Sequence, residues 1–294
     1  MQVRVAGNGT TWSYPPMRFD KLGGWRRYLD QVAAAGFDGI EHLPPTAPVV
    51  DAALFGDELA RRSLVLAGLG LYGALETPEG RESLEGQLEV ASTFAHEYGA
   101  DYLYVIDAMY ANPMSGALQR PVELDAAGWR AMVENLAHLD ERSRDRCGLA
   151  LLLHPHQYTH VDTPEQIERF LADTDPDRIS ILFDVGHYTF RGGDPVDFFR
   201  RHHDRIETLH LKNVQRGLLP DHATSQFELV ETGAFADLTS GDVDFEGLRD
   251  ALDEHGYEGW ATVEIERHPE MPGQPVELAR EAVAYLRELG YGSR

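Results

Sequence analysis

The chain has 294 residues, 43% of them apolar, with 49 acidic against 26 basic residues and a formal net charge of −23. That balance argues against a nucleic-acid partner, which needs clustered Lys and Arg, and Lys21 and Lys212 are the only lysines. No apolar run approaches the ~20 residues of a membrane span. Cys147 is the only cysteine, so no intrachain disulfide can form.

The N-terminus, Met1-Gln-Val-Arg-Val5, lacks the apolar stretch of a signal peptide and reads as a first strand, and with a single cysteine a reducing cytoplasm is the expected setting. Further β-rich apolar runs follow at Gly39–Glu41, Leu64–Leu71, Tyr102–Ile106, Leu149–His154, Ile179–Asp184, Thr208–Leu211 and Ala261–Ile265. Helix-like stretches lie between them. Gly24 to Ala35 puts Trp25, Tyr28, Leu29 and Val32 at helical spacing and stops at Gly36. Arg81 to Tyr98 does the same with Leu84, Leu88, Ala91 and Ala95, and Ala126 to Arg146 is long and helix-favouring. Thr163-Pro-Glu-Gln166 has the form of a helix start, with Thr163 as N-cap, Pro164 in the first turn and Gln166 closing a capping box. Val243 to His255 carries Phe245, Leu248 and Leu252 on one face.

Strands alternating with helices along the whole length predict an α/β fold: one (β/α)8 TIM barrel spanning residues 1–294. A doubly wound open sheet is the alternative. Gly7-Asn-Gly9 falls short of a dinucleotide fingerprint, and no phosphate-binding loop occurs. Two long connections, Ala108 to Pro121 and Gln215 to Asp242, follow the fourth and seventh strands and would emerge at the barrel mouth.

Several apolar runs end in a polar group of catalytic type. Asp184, His210 and Glu264 each close one, and a closed barrel brings such distant strand ends together at its C-terminal mouth. Carboxylates mixed with imidazole suit a divalent ion such as Mn2+, Co2+ or Zn2+. His154-Pro155-His156 follows the fifth strand, where one histidine can bind metal while the other acts as base or acid. Lys212, two after His210, is a candidate stabiliser of a developing oxyanion, with a surface ion pair as the alternative. His187, three after Asp184, can project into the same cavity, and Glu266 is ambiguous between a supporting role and solvent. Glu41 and Asp107, at or just after strand ends, are candidates to hydrogen-bond a polyol, and Trp12 to wall the mouth. His160 reads as a loop residue and Cys147 as core packing. No Gly-x-Ser-x-Gly elbow supports serine hydrolysis.

With His154-Pro-His156, Asp184-Val-Gly-His187, His210-Leu-Lys212, Gly241-Asp-Val-Asp-Phe245 and Val263-Glu-Ile-Glu266 in place, the chain resembles the sugar isomerase/epimerase-like (xylose isomerase-like) TIM-barrel superfamily. Within it, the chain is most similar to the myo-inosose-2 dehydratase branch. The resemblance runs through nearly the whole chain and is densest after residue 150. It implies a divalent metal, Mn2+ or Co2+ ahead of Mg2+ or Zn2+, held by His154, Asp184, His210 and Glu264. Pro155 interrupts the run of histidines that the dehydratases carry there, and Gln157-Tyr158 replace their Met-Gly.

The expected activity is therefore a metal-dependent lyase or isomerase acting on a keto-polyol or keto-sugar through an enolate, like an inosose dehydratase. His156 or Glu264 would take the proton α to the carbonyl, Lys212 would help hold the enolate, and His187 would assist departure of a β-hydroxyl. Epimerisation, isomerisation or β-elimination from a 3-keto-glycoside would share that enolate. The competing readings are a barrel endonuclease, opposed by the charge of −23, and a non-catalytic sugar-binding subunit. The expected partner is a small molecule, with no nucleic acid and no membrane, and a homo-oligomer is in keeping with such barrels.

Overall fold

The computed structural model describes residues 1–12, 22–42, 52–220, 222–267 and 273–292. Eight parallel strands close into a barrel: β1 (Gln2–Asn8), β2 (Gly39–His42), β3 (Val65–Gly73), β4 (Tyr102–Asp107), β5 (Leu151–Leu153), β6 (Ile181–Asp184), β7 (Ile206–Leu211) and β10 (Glu258–Val263). β1 completes the circle by pairing with both β2 and β10. The strands are nearly continuous apolar runs because both faces are covered, as parallel sheets require.

Outside the barrel lie α1 (Leu22–Ala35), α2 (Ala52–Ala60), α3 (Pro78–Tyr98), α4 (Ala126–Cys147), α5 (Pro164–Asp173), α7 (Pro195–His202), α9 (Phe245–Glu254) and α10 (Pro275–Leu289). Their apolar stripes share one cluster with the strands; Leu84, Leu88, Ala91 and Ala95 of α3 are buried in it with Leu69, Leu103 and Val105. Each fully buried Leu contributes about 1.5–3 kcal/mol. The capping box at α5 forms as the sequence predicts: Gln166 N donates to Thr163 Oγ1 at 3.3 Å and Thr163 N to Gln166 Oε1 at 3.1 Å.

Inside the barrel a second cluster holds Ala6, Ala67, Tyr102, Tyr104, Leu152, Leu182 and Trp260. Gly68 makes room for it: a Cβ there would lie 2.1 Å from the Tyr102 ring. The absent side chain on β3 is what lets Tyr102 of β4 turn inward.

The elements differ from expectation at a few places. The fifth strand is Leu151–Leu153 rather than Leu149–His154, and β10 ends at Val263 rather than Ile265, so His154 and Glu264 stand just beyond their strands. The short helix α6 (Val185–Phe190) follows β6 directly, because the Asp184 carboxylate caps it by accepting from His187 N at 2.9 Å. The connection after β7 carries an antiparallel ribbon, β8 (Asn213–Val214) with β9 (Phe235–Ala236), and between them α8 (Gln226–Glu231). α2, α6, α8 and this ribbon are too short to impose a period on the sequence. Trp12 does not wall the mouth. It is fully buried, edge-on to Tyr28 at 5.2 Å, and donates from Nε1 to Gln31 Oε1 at 2.7 Å. No helix among the described residues is long and apolar enough to cross a membrane.

Candidate metal centre and active site

The register of the sheet sets the centre. β6 and β7 pair Asp184 with His210, while His154 and Glu264 emerge beside them from β5 and β10. Ligand atoms of these four buried residues lie within 4.8 Å of one another. His154 donates from Nδ1 to the Pro155 carbonyl at 2.8 Å, which leaves its Nε2 lone pair free. Asp184 Oδ2 and His210 Nδ1 are buried with no hydrogen-bond partner among the described residues. His210 Nδ1 faces Glu264 Oε2 at 3.0 Å and Asp184 Oδ2 at 3.7 Å.

Asp184 Oδ2, buried without a hydrogen bond, and His210 Nδ1, ringed by carboxylate oxygens, leave a place for a cation among them. Two nitrogens and two carboxylate groups fit a hard or borderline divalent ion. The electrostatics of His154 and Glu264 agree, and the carboxylates around His210 make the site one that attracts positive charge. Burial, then the neighbouring His210 and His156, press His154 well below the usual imidazole range, so it stays in the neutral, ligating form. Burial disfavours a charged Glu264, but Lys212 and His210 outweigh it and hold its carboxyl well below the usual range. Burial likewise opposes a charged His210, yet Glu41, Asp184 and Glu264 together raise it well above its ordinary value.

Glu41 lies beneath the centre rather than facing a substrate. Its Oε1 accepts from Asn8 Nδ2 and Tyr104 OH, both at 2.9 Å; its Oε2 accepts from Tyr102 OH at 2.7 Å and His210 Nε2 at 2.8 Å. With four donors engaged, the polyol-contact role expected for Glu41 gives way to one of holding His210.

Asp107 is likewise turned away from a polyol. It accepts from Leu75 N at 3.0 Å and from His160 Nδ1 at 2.7 Å, and Arg120 stands 3.6 Å away. Arg120 also reaches Glu76 and the Ala108 carbonyl, and His160 Nε2 lies 3.0 Å from the Pro121 carbonyl. Asp107 and the buried His160 therefore pin the connection after β4 to the rim. Ligand-type atoms of Glu76, Asp107 and His160 also cluster, but the Arg120 guanidinium already supplies the positive charge there.

Above the centre is a cavity of about 210 Å3 whose lining includes Tyr104, His154, His156, Gln226, Glu264 and Glu266. His156 donates from Nδ1 to the Gln157 carbonyl at 2.9 Å, so its Nε2 offers a lone pair. Burial and the nearby Lys212 charge lower His156 to about 4, which keeps it neutral. Lys212 is buried one layer behind the cavity wall. Its Nζ donates to Glu264 Oε1 at 2.7 Å, Glu266 Oε1 at 2.9 Å and His187 Nε2 at 3.0 Å. His187 donates from Nδ1 to Gln157 Oε1 at 2.9 Å. Both its nitrogens are committed, so the expected acid role of His187 gives way to one of holding Lys212. The three bonds of Lys212 likewise turn it from the substrate toward the two carboxylates.

Four contributors were not singled out from sequence. Tyr102 and Tyr104 carried a signal, two hydroxyl-bearing residues two apart on a buried strand and hence on one face. Gln157 was visible as a departure from the dehydratase pattern, whereas Gln226 carried no signal.

A family model described as xylose isomerase-like TIM barrel matches residues 29–289. The chain belongs to the xylose isomerase-like TIM barrel family. Among curated relatives of this family member, an inosose dehydratase of Geobacillus thermodenitrificans is 28% identical over 283 residues, covering 91% of each chain. An inosose dehydratase of Lacticaseibacillus casei is 30% identical over 268 residues, covering 88% of this chain and 87% of its own. Among solved structures, IOLI protein with a binding zinc atom superposes with a TM-score of 0.67 at 15% identity, covering 98% of this chain and 96% of that one. That likeness is one of fold.

Proposed function

We propose that this member of the family is a metal-dependent enzyme that dehydrates a small keto-polyol, an inosose or a close analogue, through an enolate. The observation that carries the reading is the convergence of His154, Asp184, His210 and Glu264, with Asp184 Oδ2 left without a hydrogen bond, on the cavity that His156 faces. These four residues would hold the cation, with Mn2+ or Co2+ the expected ion. When bound, it supplies Lewis acidity that polarises the substrate ketone.

The protein's own groups do the proton work. His156, neutral and open at Nε2, removes the proton α to the ketone. Glu266 lines the cavity, and burial raises its carboxyl above the ordinary value against the pull of Lys212. It is placed to protonate the departing β-hydroxyl, which leaves as water. Lys212 fixes Glu264 and Glu266 relative to each other. A cavity of about 210 Å3 is smaller than the ~300–1,000 Å3 of sites for drug-sized ligands, which favours a single ring over a 3-keto-glycoside.

Epimerisation or isomerisation would follow from the same enolate if the proton returned to carbon. Proton–deuterium exchange in D2O, run on inososes, ketohexoses and 3-keto-glycosides, tests the reading. Exchange of an inosose α-proton is expected, lost on chelation and restored by Mn2+ or Co2+. No exchange with any ketone, or exchange indifferent to chelation, overturns the reading.

A further inference from the structure

A directed chain of hydrogen bonds runs from the buried lysine to the cavity wall. Lys212 Nζ can only donate, so His187 Nε2 must accept from it at 3.0 Å. The His187 hydrogen is then on Nδ1 and points at Gln157 at 2.9 Å, which fixes the facing Gln157 atom as Oε1. The Gln157 amide nitrogen is thereby turned to Gln226, 2.9 Å away, and the Gln226 atom that receives it is Oε1. Each orientation follows from the one before. At the end of the chain, the Gln226 amide nitrogen has no protein partner among the described residues, while Gln226 itself lines the cavity.

The backbone holds this end in place. Gln226 N donates to Pro113 O at 2.7 Å, joining the connections after β4 and β7. Just before it, Thr224 N donates to Tyr158 OH at 3.3 Å, and Ser225 caps α8 by accepting from Glu228 N at 3.1 Å. Gln157, the intermediate link, is fully buried. A half-buried amide so anchored presents its donor with little rotamer freedom left to lose on binding.

We propose that Gln226 is a specificity residue that donates from Nε2 to a hydroxyl oxygen of the polyol, with Lys212, His187 and Gln157 as positioning residues that lock it as a donor. The proposal rests on the keto-polyol reading above and adds to it a site that selects for one ring hydroxyl. A site built to hydrogen-bond a hydroxyl discriminates against the analogue that lacks it.

The test uses the metal-loaded full chain, with 2-keto-myo-inositol and its monodeoxy derivatives as probes and α-proton exchange in D2O as readout. The wild type is expected to favour the parent over one monodeoxy derivative by about tenfold in kcat/KM, the scale of one neutral hydrogen bond. Q226A removes the donor. Q226E keeps the length and still accepts from Gln157 but cannot donate. Both should raise KM for the parent about tenfold, leave kcat within about twofold, and erase the preference over that one derivative. Thermal melts of both variants separate this outcome from misfolding, and calorimetric binding of myo-inositol should weaken by the same factor. If the wild type exchanges the inosose proton while the parent-to-deoxy ratios of both variants match it throughout, the Gln226 assignment is wrong and the reaction reading stands. If the wild type exchanges no ketone, both fall.

Discussion

Glu41 Oε2 accepts a 2.8 Å hydrogen bond from His210 Nε2, although the two residues are 169 positions apart and on strands that are not neighbours in the barrel. The bond crosses the barrel interior. It fixes the His210 ring so that Nδ1, the atom without a hydrogen bond, faces Asp184 and Glu264. A carboxylate behind a metal-binding imidazole sets its tautomer and raises its basicity.

Glu41→Gln should therefore weaken metal binding by about 10–100-fold while the fold persists. A glutamine can meet His210 Nε2–H only through its single oxygen, and its NH2 then faces the hydroxyl and amide donors that now point at Oε1. Competition of Mn2+ or Co2+ against a chelating dye measures the change. Unchanged affinity in a folded variant would remove Glu41 from the centre.

Much of this site was legible in the sequence, and the reasons are local. Asp184, His210 and Glu264 each sit at the end of an apolar run, and strand ends of a parallel barrel gather at one face. What a residue faces was less legible. Glu41 closes an apolar run as plainly as Asp184 does, yet its surroundings depend on Gly68 leaving room for the Tyr102 ring two strands away. The turn into α6 after Asp184 depends on Gly186, where a Cβ would lie 2.6 Å from Lys212 Cβ. Gln226 lies in an excursion too irregular to show any period, so its arrival at the cavity is a property of the closed structure alone.

Metal uptake should release protons. The surrounding carboxylates hold His210 well above the ordinary imidazole value in the metal-free protein, so it carries its extra proton at neutral pH. A cation at Nδ1 takes that proton's place. Calorimetric titration at pH 7 in buffers of differing ionisation enthalpy should show about one proton released per ion bound. Affinity should rise with pH until His210 is neutral in the free protein and then level off. Binding without proton release would place the ion away from His210 Nδ1.

Acid stability should depend on a cluster far from the cavity. Glu58 of α2 is buried and accepts from Arg26 at 2.8 Å and from Arg62 at 2.8 Å, with Arg61 at 3.3 Å. These hydrogen bonds, led by Arg26 and then Arg62, overcome burial and lower its carboxyl from 4.5 to about 2. A folded-state value below the unfolded one means that the stabilisation is complete above about 4.5 and fades as pH falls toward about 2. Glu58→Gln should cost about 1 kcal/mol at pH 7, a modest figure because Arg61 is largely and Arg26 partly in solvent. Urea midpoints measured from pH 7 down to pH 3 should show the gap between variant and wild type narrowing. A gap that stays constant with pH would mean that packing, not charge, is what Glu58 contributes.

His156 is where metal binding and proton transfer can be separated. It lines the cavity and offers Nε2, but the atoms that converge on the centre belong to His154, Asp184, His210 and Glu264. Its ring centroid lies 3.9 Å from that of His187, the rings tilted by 49°, and the bonds of His187 to Lys212 and Gln157 hold that neighbour in place. His156→Gln keeps a side chain of similar reach but removes the imidazole base. Exchange of the inosose α-proton should fall by about 10²–10⁴-fold, the usual contribution of a positioned general base. Metal stoichiometry and affinity should match the wild type, and the same titration applied to His154→Gln should show the ion lost. Full exchange in the His156 variant would transfer the base role to Glu264, which lines the same cavity and whose carboxylate is held ionised. A His156 variant that lost its metal would instead make His156 a ligand and leave His154 as the histidine behind it.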